Sequence, residues 1–521
     1  MKVTARRSRS RALAMAAACL AVGGALSVPV ARAEPVGQVE HLPTRCEVGT
    51  LASGPEGNVW FSCFREGIGL HGQALVGRVT PQGRVREFSA EIPADLRIAD
   101  LVAGADGNLW FTLETGIGVP TRGEPRSAIG RMTPAGDVTL FRAGLQGKSA
   151  PGEIVAAPDG DLWFLDRTEP PEIGRVTPAG TITEFATGVQ PPLGPGGLAT
   201  GADGDVWFTQ VFDLPHGDDV PGGLVGRLSP DGTVAGFGSD PPALGAPVLG
   251  PDGNVWFTAG SDGEAIDRVT PSGQISSFGA GLKDGPTHLV AGPDGNVWFT
   301  ARRSVGRVTP SGQITSFTDC MHYRQPFSEA FSIVAGPDQD LWFTSITSRE
   351  LPAIEEPPTI GRVTPSGQIT QFKAGIGSEP RSILAGPDGR VWFAGAAEEI
   401  ERITPPSAPV NTFVFTRGRA SAGGAAKLAV EVPGPGRIRL RPLAVVLPHK
   451  RTVKVPGGPV VRATAPRCGP TPLRLRLRGA AEARLRRDDW VRLQVKATFT
   501  PTGGSANTEV RPIVLTKRRA R

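Results

Sequence analysis

The chain has 521 residues and a formal net charge of +6, which is enough length for two or three domains. The charge is unevenly spread: residues 415–521 carry 24 Lys+Arg against 5 Asp+Glu, whereas residues 34–414 carry a net −19. An acidic body joined to a basic end, with no stretch of about 18 consecutive apolar residues beyond the N-terminal segment, excludes a helical membrane protein. Nucleic acid is not an expected partner, because the basic end lacks interleaved aromatic residues.

The N-terminal segment reads as an export signal. Lys2, Arg6, Arg7, Arg9 and Arg11 precede an apolar run over residues 12–30, and "ARA" at residues 31–33 is an A-x-A cleavage pattern. The expectation is a signal peptide over 1–33 and a secreted or cell-envelope-associated chain. Four cysteines remain after it: Cys46, Cys63, Cys320 and Cys468. Cys46 and Cys63 flank one predicted hairpin and could pair across it in an oxidising compartment; Cys320 and Cys468 have no obvious partner.

Residues 34–414 are built from a repeat. A Trp-Phe pair begins at Trp60, Trp110, Trp163, Trp207, Trp256, Trp298, Trp342 and Trp392, and each unit reads roughly "IVAGPDGNVWFT…IGRVTPSGQITSF". "IVAG", "NVWFT", "IGRVT" and "QITSF" are short β-rich runs. "GPDG" and "TPSG" are tight turns, in which Pro presets φ, Asp bonds its own backbone and Gly takes positive φ. Each unit is thus a four-stranded antiparallel meander that must stack on its neighbours to bury both faces. A Trp burying ~200 Å² at ~25 cal/mol/Å² contributes roughly 5 kcal/mol gross, an upper bound. The predicted body is a β-propeller of eight blades, or seven with one atypical unit. "GQVEHL" at residues 37–42 resembles a fourth strand without its first three, so it should fill the outer slot of the last blade.

Beyond about residue 415, "KLAVEV", "RIRLRPLAVV", "PLRLRLR", "WVRLQVKATF" and "EVRPIVL" read as strands, with "GAAEARLRRDD" a short helix. This predicts a small Ig-like β-sandwich over 415–521. Its arginines form a solvated strand face or bind an anionic cell-envelope polymer.

The repeat resembles that of the virginiamycin B lyase family, over residues 37–405 or so. The resemblance implies a propeller that opens a cyclic depsipeptide antibiotic by elimination, in which Mg²⁺ polarises the ester carbonyl and a histidine moves the proton. The family pattern places histidines in the penultimate and last blades and a glutamate just after the last Trp-Phe. At these positions this chain has Phe331 in "EAFSIVAGPDQ", Arg381 in "SEPRSILAGPDG" and Ala396 in "AGAAEE". Glu379 is the one matching carboxylate, and Glu398 or Glu399 could join it around a metal. Arg stays protonated and Phe carries no proton, so neither replaces a histidine.

Other candidate ligand-binding residues are Asp100, Glu153 and His288, which occupy equivalent inner-strand positions one place from the family's histidine slot. His71 and His216 (with Asp218 and Asp219) sit in long insertions, and Tyr323 lies between the sixth and seventh units. The insertions between second and third strands are long in units one, two, four and seven, and would project from one face. Two functions follow. One is a monomeric, exported propeller that binds a small molecule or peptide on its long-loop face, without the family reaction. The other is an active Mg²⁺-dependent streptogramin B lyase or lactonase-like enzyme that opens a cyclic ester by C–O cleavage.

Overall fold

The computed structural model describes residues 37–517 apart from loop stretches, the longest of which are 66–71, 116–126, 213–221, 239–244, 318–327, 348–358, 373–378 and 407–412. Residues 1–33, His71, His216, Tyr323, Ala396, Cys320 and Cys468 lie outside the described residues.

The repeat folds into eight four-stranded antiparallel sheets, so the count is eight and not seven. Blade 1 comprises Glu47–Ser53, Val59–Arg65, Gln73–Val79 and Val85–Phe88. Blade 8 comprises Pro380–Ala385, Val391–Gly395 and Glu399–Ile403, with Val39–Pro43 as its outer strand. Val39 lies opposite Ile403 and Pro43 opposite Glu399, so the N-terminal strand closes the ring as its sequence predicts. The Cys46–Cys63 disulfide forms beside this seam and ties the entry to blade 1 to its second strand.

Each Trp-Phe pair serves two interfaces, because alternate residues of a strand point to opposite faces. Trp60 packs with Leu101 and Phe111 of blade 2, and Trp392 packs with Val48 and Phe61 of blade 1. In blades 1 to 7 the indole lies over the Phe of its own outer strand, with ring centroids 5.3–5.9 Å apart. In blades 2, 5, 6, 7 and 8 the Asp of the turn accepts the indole N–H, as in Trp256 Nε1 to Asp252 Oδ1 at 3.0 Å and Trp298 Nε1 to Asp294 Oδ1 at 2.9 Å.

The Arg of "GRVT" links one blade to the next. Its guanidinium sits 5.1–5.9 Å from the centroid of its own blade's Trp ring. Its Nη1 donates to the Pro carbonyl of the following blade's "TPSG"-type turn: Arg78 to Pro134 at 3.0 Å, Arg131 to Pro178 at 3.0 Å, Arg227 to Pro271 at 2.7 Å and Arg307 to Pro365 at 2.8 Å. Arg402 completes the circle by donating to Pro81 of blade 1 at 2.8 Å. Preceding this Arg is a glycine in six blades, where the Phe ring of the second strand lies flat on the backbone. A Cβ on Gly306 would stand 2.1 Å from Phe299 Cζ. Blade 5 carries Asp267 at this position and blade 8 carries Glu401.

In the C-terminal part, where the sequence suggests a two-layered sandwich, the strands join by hydrogen bonds into one nearly closed sheet. Its long strands Gly436–Val446, Trp490–Pro501 and Asn507–Lys517 pair in succession. Gly418–Ala420 pairs in parallel with the last of these and antiparallel with Ala425–Val432, which bridges what would be the gap between layers. Alternation puts Ile438, Leu440, Leu473, Leu493, Val495 and Phe499 into one core and the arginines outside. The predicted helix is Ala480–Asp488, with Leu485 buried.

Arg402 is the most buried of the eight interblade arginines, its side chain 2% exposed between Glu40 and Asp388. Arg402→Ala should lower the unfolding free energy by about 3 kcal/mol, since it strands buried acceptors at the ring seam. Urea unfolding followed by Trp fluorescence measures this.

Candidate functional site

The ring's inner edge is formed by the first strand of each blade, and in seven of the eight blades this strand carries one irregularity. Pairing with the second strand slips between Ile98 and Asp100, between Pro151 and Ile154, between Pro286 and His288, and between Pro380 and Ser382. A bulge leaves one residue unpaired and re-aims its neighbours. The Thr of "WFT" satisfies the freed backbone. Thr112 Oγ1 accepts the Asp100 N–H at 3.1 Å and donates to Gly152 O of blade 3 at 2.6 Å. Thr300 Oγ1 likewise accepts the His288 N–H at 3.3 Å and donates to Phe331 O of blade 7 at 3.2 Å.

Asp100, Glu153 and His288 all stand at the bulge, as their matching positions predict. Asp100 accepts N–H bonds from Leu101 at 2.8 Å and from Ile154 of the next blade at 3.1 Å. Glu153 reaches one blade further round and accepts from Leu198 at 3.1 Å. Burial pushes Asp100 up to about 6, against the pull of these two N–H groups. Burial and then the charge of Asp100 push Glu153 up to about 7. The two carboxyls thus share one electrostatic environment and can hold a proton near neutral pH. His288 is lowered from its ordinary value by burial, and its ring centroid lies 5.2 Å from that of Phe331.

At the positions where the resemblance implies proton-transfer residues, Phe331 offers a ring tilted against that of His288, and Arg381 offers an exposed guanidinium 3.8 Å from Glu379. A carboxylate already facing a guanidinium, and in no group of three or more His, Cys, Asp or Glu ligands among the described residues, does not make a Mg²⁺ donor set. No step through Mg²⁺ is therefore assigned to these residues. Glu398 is exposed, and its carbonyl accepts the Thr44 N–H at 2.9 Å. Glu399 is grouped instead with two residues that the repeat pattern does not single out: His41, in the closing strand, and Glu401. Their ligand atoms lie within 4.8 Å of one another. The available signal was the i, i+2 spacing of Glu399 and Glu401 in "EEIERI".

The strands that carry the four long insertions, such as Val59–Arg65 and Leu109–Thr115, end on the face where blades also connect to their successors. Toward that face a cleft of about 180 Å³ opens between blades 1 and 2, lined by residues that include Glu47, Gly49, Ser62, Phe64 and Arg97. The Arg97 guanidinium lies 4.3 Å from the Phe64 ring centroid.

An eight-bladed propeller with a carboxyl-bearing inner edge defines the class. The virginiamycin B lyase family matches residues 21–241 and 194–422, and the chain belongs to that family. Among solved structures, a streptogramin B lyase is 22% identical, with 70% of this chain and 96% of that chain covered at a TM-score of 0.44. The Dos1 propeller is 9% identical, with 70% and 94% covered at a TM-score of 0.50. A protein described as a gluconolactonase is 16% identical, with 57% and 84% covered at 0.31. No curated protein sequence matches significantly.

Both raised carboxyls bind their protons more tightly in the folded than in the unfolded chain. They therefore withdraw stability as pH rises from the ordinary carboxylate range to about 7. Glu153→Gln should shrink the fall in melting temperature between pH 5 and 7.5, measured by calorimetry across that range.

Proposed function

We propose that this chain is an exported propeller of the virginiamycin B lyase family that binds a small molecule or peptide on its long-loop face and does not perform the family's elimination. The observation that carries this reading is the pair of substitutions at the proton-transfer positions. Phe331 cannot take up a proton, and Arg381 stays charged beside Glu379. Ligand binding is supported by polar groups at the inner edge, where half-buried Asp100 and Glu153 are poised to hold or release a proton. A ligand bearing amine or hydroxyl donors suits that arc. Export is supported by the signal-like N-terminus and by the Cys46–Cys63 bond, which persists in oxidising compartments.

The basic C-terminal sheet is assigned to an anionic cell-envelope polymer. Its register sets exposed like charges directly opposite each other, as in Arg439 with Arg462 and Arg441 with Lys496. Such neighbours repel unless an anion lies over them. Binding of the chain to isolated cell envelopes should fall steeply between 50 and 300 mM NaCl, and Arg439→Ser with Arg441→Ser should reduce it at low salt. Co-sedimentation measures both.

The catalytic side is tested by incubating the purified chain with a type B streptogramin, with Mg²⁺ and with EDTA, and following ring opening by mass spectrometry. The expected outcome is an intact ring in both. Mg²⁺-dependent opening would reverse the reading and make the chain an active lyase with a rebuilt site.

A further inference from the structure

Blade 8 departs from the repeat at the seam where the ring closes. Where six other blades have glycine against the second-strand Phe, it has Glu401, opposite Phe393 and with a side chain only 2% exposed. His41 of the closing strand lies directly opposite Glu401. Its Nδ1 is 3.0 Å from Glu401 Oε1 and 3.3 Å from Glu399 Oε2. Glu399 precedes Glu401 by two residues, so it points from the same face of the sheet. Two antiparallel strands thereby aim one imidazole and two carboxylates at a common point, with ligand atoms within 4.8 Å of one another.

The surroundings suit an ion. Glu401 is held at the apolar interface of blades 7 and 8, whose core includes Trp342, Ile360, Phe372 and Phe393. A low-dielectric wall strengthens any attraction between a cation and a carboxylate in front of it. His41 and Glu399 reach solvent, with side chains 36% and 26% exposed, so an ion can enter and keep water in its remaining positions. A divalent cation can engage the imidazole and both carboxylates together.

We propose that His41, Glu399 and Glu401 form a divalent-cation site that latches the N-terminal strand to the last blade. The imidazole selects a first-row transition ion such as Zn²⁺ or Mn²⁺ over Mg²⁺. The site is separate from Glu379 and Arg381 and does not rest on the ligand-binding reading. Its role is to hold the ring shut, because two of its ligands belong to the third strand of blade 8 and one to the strand that completes it.

The test uses the full chain stripped with EDTA and then titrated with ZnCl₂, MnCl₂ or MgCl₂ by calorimetry, with melting temperature followed in parallel. The expected result is one Zn²⁺ or Mn²⁺ bound per chain and a melting temperature that rises with metal concentration, while equal Mg²⁺ leaves it unchanged. His41→Ala and Glu399→Gln, both at partly exposed positions, should each weaken binding about tenfold or more and remove the metal-dependent rise, while melting cooperatively in EDTA. A wild-type melting temperature indifferent to Zn²⁺ and Mn²⁺ overturns the proposal without recourse to the variants. Binding that survives in both variants places the ion elsewhere and overturns it equally.

Discussion

The arginine that reaches from each blade to a proline carbonyl of the next is the interaction on which the ring depends. Hydrophobic stacking between blades is strong but does not fix direction, and two sheets can slide over one another with little loss of buried area. A guanidinium held over a Trp face and aimed at one backbone carbonyl sets both the distance and the angle of approach. Eight copies, from Arg78 to Arg402, give the same step at every interface. The glycine before six of these arginines follows from this geometry, because the flat contact with Phe that lets the strand approach leaves no space for a Cβ; blades 5 and 8 depart from it with Asp267 and Glu401.

The inner edge uses a second repeated device. Threonine hydroxyls, as in Thr112, Thr209 and Thr300, tie one blade's second strand to the next blade's backbone, in its first strand or just before it. Because these hydroxyls and the bulge support the backbone, the ring does not depend on one side-chain type at the bulge, although Asp100 and Glu153 use theirs to accept N–H groups of the next blade. That freedom explains how equivalent positions hold Thr50, Asp100, Glu153, His288 and Ser332 without disturbing the ring. Diversity at the inner edge and uniformity between blades have one origin.

The blades and the closing strand were legible in the sequence because each depends on local pattern: alternating apolar residues, Pro-Asp-Gly turns and an unpaired "GQVEHL"; the count of eight rather than seven needed the sheet pairing. The Cys46–Cys63 pairing was legible because the two residues flank one hairpin. The arginine links were not, since the acceptor is a backbone carbonyl in another repeat, and an Arg in "GRVT" reads equally as a solvated strand residue. The single sheet of the C-terminal part was hidden for a related reason. Strand alternation gives the buried face but not whether Gly418–Ala420 bridges two layers. In the site, Asp100, Glu153 and His288 were found by aligning units. His41 carries no signal beyond its place in the closing strand, and Glu401 stands where the repeat has glycine.

The seam has a consequence for how the molecule is made. Glu40 and Arg402, which meet across it, lie 362 positions apart in the chain. The strand that leaves the ribosome first cannot find its place until almost the whole body has followed. Until then, the strand Glu399–Ile403 has no neighbour on its outer side, and Val39–Pro43 is a loose sticky ribbon. Two growing chains at high local density could exchange these ribbons, each completing the other's ring. The bond between Cys46 and Cys63, three residues beyond the end of the ribbon, fixes where it leaves its own first blade and favours closure within one chain over linkage between two.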